Sequence, residues 1–195
     1  MIDKARNDFP GHSWILADAR AYAVSASFDL IFSNASIQWI PDHRALLGKL
    51  AAMLSADGIL AVQVPRFNEM AISEVIESVS RSERWREATK RCAQLFTFHD
   101  PGFYYDLLSN FMKSVDLWET DYHHVMESHL SIVEWIRSTA LKPYLDAIGI
   151  GEEMKDFEAS VLAGLKQVYP ARFDGRVLFP FKRLFFIGYI NVTRR

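Results

Sequence analysis

Two continuous apolar segments with a helical segment between them constrain the fold most strongly. Residues 28–34 read FDLIFSN and residues 59–65 read ILAVQVP, and such runs are typical of parallel strands that are buried on both faces. From Pro41 onward, leucines at helical spacing predict a helix that ends at residues 55–58. The order strand, helix, strand therefore predicts an α/β fold with a right-handed crossover.

The rest of the chain predicts further elements of the same fold. We expect a helix already under way at residues 1–7, and a short strand at residues 13–17 ahead of the strand at 28–34. Further along we expect helix at 66–91 and 103–111, a strand at 115–123, helices within 128–169 that break near 141–143 and 149–151, and a last strand at 184–192.

These elements predict one domain over residues 1–195. Its sheet is expected to be mostly parallel with one antiparallel strand, and helical insertions are expected at about 66–112 and 128–172. A chain of 195 residues is long enough for one domain with its own core.

Composition excludes several classes of function. A formal charge of −2 provides no basic surface for nucleic acid, and the longest apolar runs are too short to cross a bilayer. The single cysteine, Cys92, can form neither an internal disulfide nor a metal cluster, and we expect it to be structural. Motifs for a zinc protease, an α/β-hydrolase, a P-loop and a dinucleotide fold are all absent. We therefore expect a cytoplasmic protein, without bound metal, that acts on a small molecule.

Polar residues follow two of the predicted strands. Asp18 comes directly after residues 13–17, and Asn34 closes the strand at 28–34. In open α/β sheets, ligands bind outside the carboxyl ends of the strands, so this pattern predicts a cleft. Taken alone, Asp18 could instead cap a helix, Asn34 could simply close a turn, and Trp39 could be a packing aromatic.

Five segments make the sequence similar to one family. They are FDLIFSNASIQWIPDH from residue 28, DGILAVQVP from residue 57, YYDLLS from residue 104, the W-x-T-x-Y-x-H pattern at 118–124, and FPFKRLFFI from residue 179. Together they resemble the trans-aconitate 2-methyltransferase family of class I methyltransferases. The resemblance covers essentially the whole chain. It implies a Rossmann-like sheet, S-adenosylmethionine as cofactor, and methylation of a carboxylate of a small polycarboxylic acid such as trans-aconitate.

The resemblance also implies a set of site residues. Asp18 corresponds to the residue that accepts from the adenine amino group, and the turn after residue 33 to the one whose carbonyl meets the methionyl amine. The expected cofactor-binding residues are Asp18, Ala19, Asn34, Ala35, Ser36, Gln38 and Trp39.

The acid substrate needs a cation, and Arg183 could bind a carboxylate bidentately or be only a strand-edge charge. Other candidate substrate contacts are Tyr105, His124, Trp135 and Tyr144, although residues of these types, taken alone, are more often structural. No catalytic acid or base is expected, because a carboxylate is already ionised at neutral pH.

One departure from the family pattern bears on function. The resemblance begins at MIDKAR, after the glycine-rich turn and the acidic strand with which family members bind the cofactor. We therefore expect these residues by themselves to bind the cofactor weakly or not at all. Strand 13–17 could collapse onto strand 28–33, a second chain could fill the gap, or the chain could be part of a longer protein. The alternative function is a catalytically impaired remnant that serves as a binding or oligomerisation module, for example as a homodimer that covers the exposed sheet edge.

Overall fold

The computed structural model describes residues 2–24 and 27–191. Within these residues a four-stranded sheet has the order β1-β2-β4-β3. Its strands are β1 (Phe28–Asn34), β2 (Leu54–Pro65), β3 (Ser114–Met126) and β4 (Val177–Tyr189). Strand β2 runs parallel to β1, whereas β4 runs antiparallel to both β2 and β3. The predicted α/β class is confirmed, and β1 lies at one edge of the sheet.

Eight α-helices accompany the sheet in the described residues. They are α1 (Ile2–Asp8), α2 (His43–Ala52), α3 (Ala71–Ser80), α4 (Arg86–Thr89), α5 (Pro101–Leu108), α6 (His129–Arg137), α7 (Lys142–Ile148) and α8 (Glu152–Val168). Local chemistry sets several of their ends. The side chains of Asp42, Asp100 and Ser128 each accept a hydrogen bond from the first turn of α2, α5 and α6. The predicted break near 149–151 is confirmed, because Gly149 separates α7 from α8 with a φ of 87°, which favours glycine.

The buried side chains form two clusters. One lies between a single face of the sheet and helices α2 and α5, and its fully buried members include Leu47, Leu60, Leu108, Leu184 and Phe186. The other joins α3, α6, α7 and α8 to the first residues of β4, and includes Ile72, Ile132, Phe157, Leu165 and Phe179. Cys92 is buried in this helical cluster, where burial raises the pKa of its thiol. Strand β4 thus runs from the helical cluster into the sheet.

The opposite face of the sheet carries exposed apolar side chains. Strand register places Leu30, Phe32 and Trp118 on this face, and the ring of Trp118 stacks on Phe185 with centroids 5.1 Å apart. Phe32 keeps 68% of its surface accessible. An apolar surface of this kind, at a sheet edge, favours association.

The predicted strand at residues 13–17 is wrong. These residues have no regular secondary structure, and Leu16 is 79% exposed. A strand requires a hydrogen-bonded neighbour, and within the described residues β1 pairs with β2 and not with this segment. Side chains hold the segment instead, since Trp14 Nε1 donates to the Phe9 carbonyl at 3.0 Å.

The expected sheet, mostly parallel with one antiparallel strand, is confirmed in the described residues, because β1, β2 and β3 run in one direction and β4 runs against them. Two other expectations need correction. The helix expected over residues 66–91 is divided into two helices, α3 of ten residues and α4 of four. Strand β4 begins at Val177 rather than near residue 184. Met1 and Val192, which the sequence pattern placed in the first helix and the last strand, lie outside the described residues.

The described residues contain no helix that is both long and apolar enough to span a membrane. The same residues bring no three potential metal ligands of the His, Cys, Asp or Glu type together. Localisation in the cytoplasm stays a prediction.

Candidate functional site

A cavity of about 250 Å³ opens at the carboxyl ends of β1 and β2, where the sheet meets the helical cluster. Aromatic side chains form about half of its lining, and aliphatic residues and three polar side chains form the rest. The lining residues are Ala35, Gln38, Trp39, Pro65, Phe67, Phe96, Phe98, Trp135, Ile136, Thr139, Ala140, Phe181 and Arg183. An apolar cleft with a few convergent polar groups is typical of a small-molecule site. Its place agrees with the cleft predicted at the strand ends.

A strained turn forms one wall of this cavity. Ala35 adopts a left-handed backbone with a φ of 48°, which is unusual for a residue with a Cβ atom. Its N–H donates to the Gln63 carbonyl at 3.0 Å, and its carbonyl accepts from Gln38 Nε2 at 2.9 Å. Because that carbonyl can only accept, the other amide atom of Gln38 is the oxygen, which is buried without a partner among the described residues. The turn therefore presents an unused acceptor beside the cavity.

Arg183 places a positive charge in the cavity lining. Its Nη1 donates to Gln63 Oε1 at 2.9 Å, and its guanidinium lies 4.7 Å from the ring centroid of Phe181. Burial lowers the pKa of Arg183, but an arginine remains charged at neutral pH. Within the described part of the chain, no carboxylate offsets this lowering of the Arg183 pKa. A partly desolvated cation without an acidic partner is a natural binding point for an anion.

The neighbouring cations are neutralised. Arg66, which follows β2 directly, is buried and contacts the carboxylates of Glu69 and Glu119, the latter at 3.2 Å. Lys182 pairs with the second oxygen of Glu69 at 3.1 Å. These ion pairs offset the desolvation that a buried guanidinium would otherwise suffer. Arg66 and Lys182 therefore hold the fold together, while the charge of Arg183 stays available.

His124 lies next to this cation. The centroid of its ring is 4.8 Å from the ring centroid of Trp135. The adjacent His123 is exposed, as expected because successive side chains of a strand point to opposite faces. Burial, and secondarily the charge of Arg183, lower the pKa of His124. The ring is therefore neutral at pH 7, and its buried Nε2 has no partner in the described residues.

Residues 96–98 cover the cavity from the side of the Ala35 turn. Phe96 packs against Trp39 with ring centroids 4.6 Å apart, and the Thr97 N–H donates to the Gln38 carbonyl at 2.8 Å. Sequence reasoning missed this segment, and also missed Gln63, Phe67 and Thr139. The signal that could have revealed it is the FTF pattern immediately before the predicted break at 99–102.

Comparison with known proteins places the chain in a family. Residues 1–62 match the family described as "Methyltransferase domain". The trans-aconitate 2-methyltransferase of Azoarcus sp. (strain BH72) is 38% identical over 188 residues, and that of Variovorax paradoxus (strain S110) is 37% identical over 194 residues. In both comparisons the match covers 96% of this chain and 73% of the relative. The chain belongs to the trans-aconitate 2-methyltransferase family.

The family consists of class I methyltransferases, whose cofactor is S-adenosylmethionine. A solved structure, that of the YcgJ protein from Bacillus subtilis, is similar in fold with a TM-score of 0.54. It is 12% identical, and the similarity covers 99% of this chain and 79% of that protein. This likeness shows a shared Rossmann-like fold alone.

The structure brings several of the residues expected from the trans-aconitate 2-methyltransferase family to one cavity. Those in its lining are Ala35, Gln38, Trp39, Trp135 and Arg183. His124 packs behind this lining against Trp135 and Phe181. Asn34 and Ser36 flank Ala35 in the exposed part of the turn.

Asp18 and Ala19, which the family resemblance assigned to the cofactor, do not line this cavity. The Ala19 carbonyl accepts from Lys49 of α2 at 3.3 Å. Asp18 is exposed and bound by Arg20, whose Nη2 lies 2.6 Å from Oδ2. Hydrogen bonds from Arg20 lower the pKa of Asp18 to about 2. A ligand that uses this carboxylate has to compete with Arg20.

Both tyrosines expected at the substrate also lie elsewhere. Tyr105 is on the exposed side of α5, because the helix buries Tyr104, Leu107 and Leu108 instead. Tyr144 of α7 is buried in the helical cluster, where it stacks on Phe157 with centroids 6.0 Å apart, and burial raises its pKa to about 12. Neither tyrosine is placed to wall the cavity.

Proposed function

We propose that this chain methylates a carboxylate of a small polycarboxylic acid, such as trans-aconitate, with S-adenosylmethionine as methyl donor. The observation that carries the proposal is Arg183, a cation without an acidic partner among the described residues, in the lining of an aromatic cavity at the ends of β1 and β2. A guanidinium fork matches a carboxylate with two parallel hydrogen bonds. The choice of trans-aconitate as the acid is supported by the names of the relatives, which are trans-aconitate 2-methyltransferases.

The residues of the Ala35 turn fit the amino-acid end of the cofactor. The buried Oε1 of Gln38 is an acceptor without a donor in the described residues, and the methionyl ammonium group is a donor that would satisfy it. Ala35 and Ser36 would contribute their main chain, and the exposed ring of Trp39 would flank the ligand. Asp18 would accept from the adenine amino group after exchanging its hydrogen bonds with Arg20. When bound, S-adenosylmethionine supplies an electrophilic methyl group.

The protein's own part in the reaction is positioning. Arg183 would hold one carboxylate of the acid, so that another carboxylate faces the turn at Ala35. Apolar walls such as Phe96, Phe98 and Phe181 would exclude water from the reacting oxygen. No general base is required, because the nucleophile is ionised at neutral pH.

We also propose that residues 66–112 and 128–172 act as a helical cap within a single domain. The cavity supports this, since Phe96 and Phe98 come from the first segment and Trp135, Ile136 and Thr139 from the second. Closing these segments over an acid would complete a site that the sheet alone leaves open.

The test is a methylation assay with S-adenosylmethionine at saturation. Mass spectrometry should detect a monomethyl ester of trans-aconitate, and the trimethyl ester of the same acid should give no product. Absence of any ester from a range of di- and tricarboxylates, with cofactor binding shown by calorimetry, would contradict the proposed function.

A second proposal is that two copies associate through β1. This strand pairs with β2 on one side, and Leu30 and Phe32 are exposed beside its outer edge. Sedimentation velocity should show a dimer that Phe32→Lys converts to monomer. Leu130→Lys, at an exposed site on α6, is the matched control and should leave the dimer intact. A wild-type protein that stays monomeric at all concentrations would exclude this association.

A further inference from the structure

We propose that Gln63 is the residue that keeps Arg183 available for a substrate carboxylate, an inference that rests on the proposed function. Gln63 lies in β2 and is 3% exposed. Its Oε1 accepts from Arg183 Nη1 at 2.9 Å. Neither the family resemblance nor the lining of the cavity points to this residue, yet it is the hydrogen-bond partner of the central cation.

The amide of Gln63, unlike a carboxylate, leaves the positive charge of Arg183 unneutralised. A buried guanidinium is ordinarily compensated by a carboxylate, and Arg66, three residues after Gln63, has two such partners in Glu69 and Glu119. Gln63 instead offers Arg183 one neutral acceptor. The guanidinium then keeps its full positive charge, and most of its five N–H donors have no hydrogen-bond partner among the described residues, so they can bind a ligand.

The orientation of the Gln63 side chain follows from the donor it meets. A guanidinium only donates, so the amide atom that faces Arg183 is the oxygen, and Nε2 points away from it. This Nε2 is buried and has no acceptor within the described residues. A buried donor without an acceptor is unfavourable for folding. The hydrogen bond between Gln63 and Arg183 is therefore present although it leaves Gln63 Nε2 unsatisfied, at a cost in folding stability.

Gln63 also connects the two halves of the site. Its carbonyl accepts the Ala35 N–H at 3.0 Å, while its side chain holds Arg183. One residue of a buried strand therefore fixes the spacing between the turn that fits the cofactor and the cation that fits the acid. Gln63 is a positioning residue, since it acts on the substrate through Arg183.

The experiment is isothermal titration of the full chain with trans-aconitate and with its neutral trimethyl ester. Wild type should prefer the anion. Q63E introduces a carboxylate that pairs with Arg183, so affinity for trans-aconitate should fall by about tenfold or more, while affinity for the ester stays unchanged. A purely structural role would weaken both ligands together. Circular dichroism verifies that each variant is folded.

Q63M is the matched variant that removes the amide without adding charge. It should weaken binding of trans-aconitate by only a few-fold, because the hydrogen bond that positions Arg183 is lost while the charge of Arg183 is not neutralised. Two results would overturn the role of Gln63 and leave the proposed function intact. One is that Q63M loses anion binding as severely as Q63E. The other is that Q63E binds the anion as tightly as wild type. A wild type that binds neither trans-aconitate nor other polycarboxylates would instead refute the proposed function, and the inference with it.

Discussion

His43 accepts a hydrogen bond from the Tyr104 hydroxyl at Nδ1, over 2.7 Å, and donates from Nε2 to the Ile37 carbonyl over 2.8 Å. The carbonyl can only accept, so it fixes the tautomer. This buried pair ties the turn at residues 37–39, which carries Gln38 and Trp39, to helix α5. The wall of the cavity therefore depends on a neutral histidine.

Acid should weaken the fold through this histidine. Burial lowers the pKa of His43, so the folded state binds fewer protons than the unfolded state, in which the pKa is about 6.5. The stabilisation is complete above that value and is lost as the pH falls below it toward the folded pKa. Urea unfolding should give a midpoint that decreases from pH 7.5 to about pH 5. His99 and His124 shift in the same direction.

His43→Gln separates the contribution of His43 from that of the other two histidines. We expect this variant to be less stable at pH 7.5 by about 1–3 kcal/mol, since buried hydrogen bonds are lost, and to show a shallower dependence on pH. A variant with the same slope as wild type would show that His43 does not titrate on unfolding.

Gly164 should be essential for packing α8 against α3. A Cβ atom built at this position would lie 2.5 Å from Val75 Cγ1, so Gly164→Ala should destabilise the protein by about 1–3 kcal/mol. Gly48→Ala on α2 is the matched control. A Cβ atom there meets nothing within 4 Å, and the change should stabilise by about 0.5–1 kcal/mol through helix propensity. Thermal unfolding measures both, and the combination Gly164→Ala with Val75→Ala should recover part of the loss.

Removing Arg20 should release Asp18. We expect Arg20→Ala to raise the pKa of Asp18 from about 2 toward its ordinary value, because the hydrogen bonds that hold it down come from Arg20. Carboxyl NMR titration measures this change directly. If Asp18 binds the adenine amino group, Arg20→Ala should retain or improve affinity for S-adenosylhomocysteine, whereas Asp18→Asn should weaken it. Loss of affinity in both variants would argue that the pair itself is the structural feature.

The elements that the sequence predicted best are those whose pattern is local. Strands β1 and β2 are continuous apolar runs, and the glycines near residue 150 end α7 and precede α8. Burial of β1 on both faces was wrong, because β1 lies at the edge of the described sheet and its Leu30 and Phe32 are exposed. Residues 13–17 have the composition of a strand, but pairing is a non-local property and no strand lies beside them in the described residues. The early start of β4 was missed because Pro180 and Lys182 interrupt its apolar pattern.

The residues of the site likewise include some that the sequence predicted and others that it did not. Ala35, Gln38, Trp39 and Arg183 were predicted by resemblance to the family, and the structure collects them at one cavity. Gln63 was not, although a polar residue within the apolar run ILAVQVP was a usable signal. Its role depends on register, which places Pro65 of β2 opposite Arg183 of β4. Tyr105 and Tyr144 were misplaced because residue type alone does not tell which side of a helix faces a ligand.

Removing the Arg183 side chain should weaken binding of the acid far more than binding of the cofactor. Arg183→Ala removes a charge-assisted contact, which corresponds to about 1.5–3 kcal/mol, or roughly ten- to a hundredfold in affinity for trans-aconitate. Arg183→Lys should also be impaired, because lysine lacks the planar fork. Arg176→Ala, at the exposed residue before β4, is the control and should behave as wild type.

The measurement is the initial rate of methylation against trans-aconitate concentration at saturating S-adenosylmethionine. We expect Arg183→Ala to raise KM for trans-aconitate by roughly ten- to a hundredfold, while affinity for S-adenosylhomocysteine changes little. An unchanged KM in Arg183→Ala would show that Arg183 does not bind the acid and is a packing residue held by Gln63 and Phe181.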